Sequence, residues 1–303
     1  MNKSLRRKLI MSAVAVGAAA VGTTASTYAW FVTNSNVSST VTGSVEKAGA
    51  NIYISNDGQN YGTKSVSPLE NFDNLKMAPL QMKKADHLLY DLNDTAKTKN
   101  VDYMEFTLYF SVQNLDVANN NYGIMLTTTA KDLDVERAKT HEAQTTVTGD
   151  GTYKTITQGK SLWDNVLKAL NVEIAQEYSS SNEFADNSTS KYYALNKSEA
   201  IYDGLKYYND ISGNDKEETG TESVEEGALT ATPLETSENV ETIESITATG
   251  ESQIVTDIPN NGYYKLVFKV WLDGWDKACF DAIASHQFDL GLKFELTTSA
   301  KAE

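Results

Sequence analysis

The sequence predicts a mainly β protein, an antiparallel β-sandwich carrying a large helical and acidic disordered insertion. Three observations lead there. The 303 residues include sixteen Tyr and only four Pro, with Thr, Val and Ser abundant, a composition that leans towards strands. Apolar and polar residues alternate cleanly through Tyr103–Asn114 and again from Phe288 to Leu296, the pattern of strands with one buried face. Strong strands lie both before and after the helical and acidic middle, which favours one interrupted sandwich over two domains in tandem.

Taken in order, the chain opens with Lys3, Arg6, Arg7 and Lys8, followed by an apolar run from Leu9 to Gly22 and a tail of small residues. This is the make-up of a secretory signal peptide, and the run is shorter than the roughly 20 residues that span a bilayer. Cleavage is expected after Ala25 or after Ala29, with an uncleaved membrane anchor as the alternative. Signal peptidase is then a transient partner, and the membrane is met only through this N-terminal segment. The bulk of the protein is secreted, to the cell surface or an extracellular matrix. The formal charge is −15, and four basic residues lie in that start, so the exported part carries −19. Such a surface repels DNA, RNA and anionic lipid. Cys279 is the only cysteine, so no disulfide forms within the chain, and none lies near the cleavage site to carry a lipid.

Residues 30–131 form the first part of the sandwich. Val37–Val45 reads as an extended segment of small side chains, and Asn51–Ser55 as a strand closed by the tight turn Asn56-Asp57-Gly58. Residues 62–100 read as loop, punctuated by Pro68 and Pro79. After Tyr103–Asn114, Asn119-Asn120-Asn121 turns the chain into a returning strand, Tyr122–Ala130. Residues 132–212 are the helical insertion. Ser161 caps a predicted helix to Asn171, with Leu162, Val166, Ala169 and Leu170 on one face, and a weaker helix runs from Lys197 to Tyr208. Residues 213–258 are an acidic low-complexity loop. From Gly213 to Asp257 there is no aromatic residue and one lysine, too little to repay the entropy of ordering. Residues 259–303 complete the sandwich with Tyr263–Leu272, a short helix Lys277–Ala284, and the last strand.

Catalytic patterns are missing. His87, His141 and His286 stand apart, and the helix begun by His141-Glu142 carries Thr145 where a zinc protease needs its second His. Gly159-Lys160-Ser161 lacks the first glycine of a phosphate loop, whose position holds Lys154. No G-x-S-x-G elbow occurs, and Cys279 beside Trp275 and Phe280 reads as a buried, inert thiol. No catalytic, cofactor-binding or metal residues are therefore assigned and no cofactor is expected. The oxygen-rich turns at Asp273/Asp276 and at Asn56, Asp57 and Asn60 are the calcium candidates, and turn geometry alone explains them.

Thr27-Tyr28-Ala29-Trp30-Phe31, at the end of the export signal, resembles the signal region of the TasA/camelysin group of Gram-positive exported proteins, which a specialised, endoplasmic-reticulum-type signal peptidase processes. Ile52–Gly58 and the block from Val270 to Phe280 are similar to Firmicutes and Mollicutes relatives with this type of signal. The resemblance implies a jelly-roll-like sandwich and extracellular fibres of a biofilm matrix. The helical and acidic middle departs from the compact fibre subunits. The expectation is a structural protein with no reaction centre, a homopolymer joined by sheet-edge pairing. Its strand donor is Val37, Val41 and Val45, the β-prone segment outside the obvious core. Pairing of that segment within its own domain is the alternative. An adhesin using Trp30, Trp271 and Trp275 as stacking platforms is the second class, and a secreted metalloprotease, which the resemblance also suggests, is the third.

Overall fold

A computed structural model describes residues 33–34, 41–44, 51–62, 75–83, 86–91, 95–132, 142–195, 200–212, 246–283 and 288–301. In chain order the strands are β1 (Thr33–Asn34), β2 (Val41–Ser44), β3 (Asn51–Ser55), β4 (Lys76–Met77), β5 (Pro79–Lys83), β6 (Leu88–Tyr90), β7 (Met104–Gln113), β8 (Asn120–Asp132), β9 (Leu170–Ser179) and β10 (Thr189–Ala194). The helix α1 (Gly204–Ser212) follows, then β11 (Ile246–Val255), β12 (Gly262–Asp273) and β13 (Phe288–Ala300).

β12 is the axis of the larger sheet. It runs antiparallel to β7 on one side and to β9 on the other, with β3 beyond β7 and β10 beyond β9. Past the end of β7, Leu272 and Asp273 continue parallel to β5, which carries β6 as a hairpin. The second sheet has the order β11-β8-β13-β2. Its long pairs are antiparallel, while β2 lies parallel to β13, so the sheets are mixed where the sequence predicted antiparallel pairing throughout.

The inward faces follow from alternation. Met104, Phe106, Leu108, Phe110 and Val112 of β7 and Tyr264, Leu266, Phe268 and Val270 of β12 meet Ile124 and Leu126 of β8 and Leu290, Leu292 and Phe294 of β13 in one core. Phe106 stacks on Phe268 across the strand pair at 4.9 Å between ring centroids. Phe294, from the facing sheet, meets Phe110 edge-on at 4.8 Å and Phe268 at 6.1 Å. Such pairs add about 0.5–1.5 kcal/mol beyond their burial. On the outer face the β5–β6 hairpin folds over Tyr103 and Trp271 with Leu80, Met82 and Leu89. A further cluster seats Tyr207 of α1 against Phe280, Leu162 and Ile156.

Several predicted elements change character. The helix over Ser161–Asn171 is instead one 3₁₀ turn, Val166–Ala169, capped by Asn165, and Leu170 already begins β9. Both faces of that run are buried: Leu162, Trp163, Val166, Leu167, Ala169 and Leu170 are all interior. A run buried on both faces gives no decisive period, and Val172 and Ile174 carry it on as a strand. The region predicted as a helical insertion therefore supplies two strands to the larger sheet. The weaker helix starts at Gly204 and ends at Ser212, not Lys197 to Tyr208, and the short helix after Lys277 reduces to a 3₁₀ turn at Asp281–Ile283. Residues 62–100 hold β4, β5 and β6, with Pro79 at the first position of its strand, where no ladder N–H is lost. Ile246–Val255, predicted as part of the acidic loop, pairs along β8; residues 213–245 lie outside the described residues. No helix among the described residues is long and apolar enough to cross a membrane.

Candidate functional site

β9 reads Asn171, Val172, Glu173, Ile174, Ala175, Gln176, Glu177. Alternation sends Val172 and Ile174 into the core and turns Asn171, Glu173 and Glu177 to the opposite face, yet these three polar residues are also buried. Three coverings account for it: β10 at the edge, the β5–β6 hairpin, and the loop between β9 and β10. That loop is pinned at Asn182, which donates from Nδ2 to the Gly58 carbonyl and accepts from the Tyr61 hydroxyl. Gly58 itself takes the left-handed conformation the Asn-Asp-Gly turn requires, at φ 68°.

Under the hairpin, Glu173 is 1% exposed and ion-paired to Lys269 at 2.9 Å. Ser190 Oγ donates to Glu173 Oε1 at 2.7 Å, and His87 Nδ1 lies 2.6 Å from the Tyr192 hydroxyl and 3.4 Å from the same carboxylate oxygen. Lys269 also donates to the His87 carbonyl. Burial, then the Glu173 charge, pushes the Tyr192 phenol up to about 12, so it keeps its proton at neutral pH. The network clamps the hairpin to the sheet through the Glu173–Lys269 ion pair. In the sequence His87 stands apart, because Glu173, Ser190 and Tyr192 lie 86 or more residues away on strands inside the predicted helical region.

At the far end of β9 a cleft of about 380 Å³ opens between the β9–β10 edge and the end of β11. Gln176, Glu177, Tyr178, Thr189, Thr256 and Tyr264 are among its lining. Glu177 Oε1 accepts the Ala185 N–H at 2.6 Å. Among the described residues Glu177 Oε2 and Gln176 Oε1 are buried and accept no hydrogen bond, as is true of Glu173 Oε2 beside its ion pair with Lys269.

The third polar cluster lies at the start of β9. Asp164 is fully buried, accepts the backbone N–H groups of Asn165 and Ile201 at 2.7 Å each, and pairs with Lys168 at 2.9 Å. Nearby, burial and then the Asp273 and Asp164 charges raise Asp276 to about 7. Cys279 is buried, its thiol pushed well above the usual range by desolvation and then by Asp276 and Asp273.

Of the sequence-predicted positions, Val41 lies in β2 opposite Leu292 of the chain's own β13. Ala25, Ala29, Val37 and Val45 lie outside the described residues, as do Trp30, His141 and His286. At the calcium candidates the carboxylates are already engaged. Asp57 Oδ1 accepts Gln59 N–H, Asn60 N–H and the Ser55 hydroxyl, which holds the group far below the usual carboxylate range. Asp273 accepts from Trp275 N–H and Asn171 Nδ2, and Asp276 from Ala278 N–H. Among the described residues no group of three or more His, Cys, Asp or Glu could hold a metal ion. Trp271 and Trp275 are buried, with Trp275 Nε1 donating to Gln81, so neither offers a ring face to solvent. No protein-family model, curated protein or solved structure matches the chain.

Proposed function

We propose that this chain is an exported structural protein of an extracellular matrix or cell-surface fibre, and that its subunits join by exchanging β2. One observation carries the reading. β13 is thirteen residues long, and its outer edge is covered by β2 along four of them, Leu292–Glu295. Among the described residues the remainder of that edge has no strand beside it. A four-residue parallel pair is a weak lock, because parallel pairing is slightly less stable per residue and the exposed edge is a template for any extended chain. β2 held by its own β13 is a self-capped subunit; β2 laid in the same register on the next subunit makes a head-to-tail contact that does not close on itself.

A jelly-roll-like winding fits this reading. Successive long strands change sheets, β7 to β8, β11 to β12 and β12 to β13, so the chain wraps around the core. The basic, apolar start supports export, and the acidic surface argues against a nucleic-acid partner. Absence of a reaction centre belongs to the same proposal.

Two preparations of the mature chain test it. Removing residues 30–45 is expected to leave a folded monomer that forms no filament by negative-stain electron microscopy. Thr42→Cys with Lys293→Cys places thiols at paired register positions. Cross-links between subunits are expected in filaments and within subunits in monomers. Filaments of unchanged length without residues 30–45, or filaments linked only within subunits, defeat the exchange.

A further inference from the structure

We propose that Glu173 and Lys269 condense to an amide that ties β9 to β12 covalently. The two residues face each other in the strand register. Glu173 is 1% exposed, and its Oε2 lies 2.9 Å from Lys269 Nζ. Yet that oxygen accepts no hydrogen bond among the described residues, and the lysine donates to the His87 carbonyl at 2.9 Å. Ammonium and carboxylate are thus in contact without the aligned hydrogen bond that ordinarily holds a buried pair together. Glu105, opposite Lys269 on the β7 side, does not compete, since Lys99 engages it at 3.1 Å.

The other carboxylate oxygen is placed to stay. Ser190 Oγ donates to Glu173 Oε1 at 2.7 Å, and the Tyr192 hydroxyl lies 3.4 Å from it. Such donors polarise the carboxyl carbon and hold the negative charge that gathers on Oε1 as nitrogen attacks. The step needs no outside reagent. The ammonium passes one proton to Oε2, and the freed amine attacks Cδ to form the Nζ–Cδ bond. A second proton follows to Oε2, and the Cδ–Oε2 bond breaks to release water. The third proton remains on the amide nitrogen. Two buried charges are replaced by a neutral amide whose groups already have partners: Ser190 Oγ for the carbonyl, and the His87 carbonyl for the N–H. Lys168 and Asp164 are equally close, at 2.9 Å, and mark the difference. Both Asp164 oxygens accept a backbone N–H, from Asn165 and Ile201, so neither is free to leave. An internal amide gives a chain with one cysteine a covalent tie that no internal disulfide could supply.

Mass spectrometry of the purified full chain, denatured, tests this on protein as isolated and after prolonged incubation at neutral pH. The expected mass is that of the sequence less one water. A tryptic digest should return residues 169–191 joined to residues 266–277, uncut after Lys269. Lys269→Arg keeps a cation beside Glu173 and should show the full mass of its own sequence. Full parent mass after incubation, with the two peptides recovered apart, overturns the proposal. So does a water loss that the digest assigns elsewhere, such as ring closure at Asp57-Gly58, and that Lys269→Arg retains. The parent measurement decides by itself should the variant not fold.

Discussion

β12 has two antiparallel neighbours in nearly the same register, and they treat their polar residues in opposite ways. Phe268 lies opposite Phe106 of β7 and Ile174 of β9, and Lys269 lies opposite Glu105 on one side and Glu173 on the other. Inward, the two strands do the same work. Outward, Glu105, Thr107 and Tyr109 of β7 keep contact with solvent, whereas Glu173 and Glu177 of β9 are roofed over. The same alternation yields a solvated face in one case and enclosed chemistry in the other. Stability is concentrated on the shared inward face, and the covered outward face of β9 is where unmet and strongly coupled groups accumulate.

Breaking the shared face should have the largest effect. Phe294→Ala removes the ring that touches both Phe110 and Phe268 and should cost about 4 kcal/mol, read as a fall in the urea midpoint with unchanged slope. A loss below about 1 kcal/mol would mean the sheets close over the gap and that the aromatic layer is not the main tie between them.

The covered side responds differently, because its cost comes from charge left behind. Lys168→Met strips Asp164 of its cation and should cost about 3 kcal/mol, while Lys168→Met with Asp164→Leu should recover much of that loss. Equal losses in the single and double variants would show that Asp164 matters through its bonds to the Asn165 and Ile201 N–H groups, and not through the ion pair.

The contrast also explains what the sequence disclosed. β7 and β13 were legible because they alternate apolar and polar residues over nine or ten positions, β12 because every second residue from Tyr264 to Leu272 is apolar, and β3 because Asn-Asp-Gly follows it. β9 was illegible for a related reason. Its approach, Leu162–Leu170, is buried on both faces and sets apolar pairs around Asp164, Asn165 and Lys168, so the period of 3.6 fits, and Ser161 offers a helix cap. Without β9, Glu173 and Glu177 have no face, and their partners His87, Ser190 and the Ala185 N–H have no reason to be near. A lysine and a glutamate on adjacent strands leave no mark in one sequence unless both strands and their register are known. The acidic tract misled through composition: Ile246–Val255 has enough Ile, Thr and Val to pair with β8, but the glutamates before it set the average.

The effect that is smallest in acid separates the covered side from the exposed turns by pH. Asp276, beside Asp273, Asp164, Lys168 and Cys279, is raised to about 7, against 3.8 in the unfolded chain. Between those values the folded protein holds a proton that the unfolded chain has released. Its contribution to stability is therefore complete below about pH 4 and is lost as pH rises towards 7. The exposed turn residues Asp57, Asp86, Asp150 and Asp186 are lowered by their hydrogen bonds, so their contributions are present above pH 3.8 and lost below it. The two windows do not overlap. Asp276→Asn keeps an acceptor for the Ala278 N–H and removes the titration, so its gain on the parent chain should grow to about 4 kcal/mol as pH rises from 4 to 7 while the acid limb is unchanged. Parallel stability curves for variant and parent across that interval would show that the pocket around Asp276 admits enough water to keep the carboxylate charged, and that this part of the covered side behaves like the open face of β7.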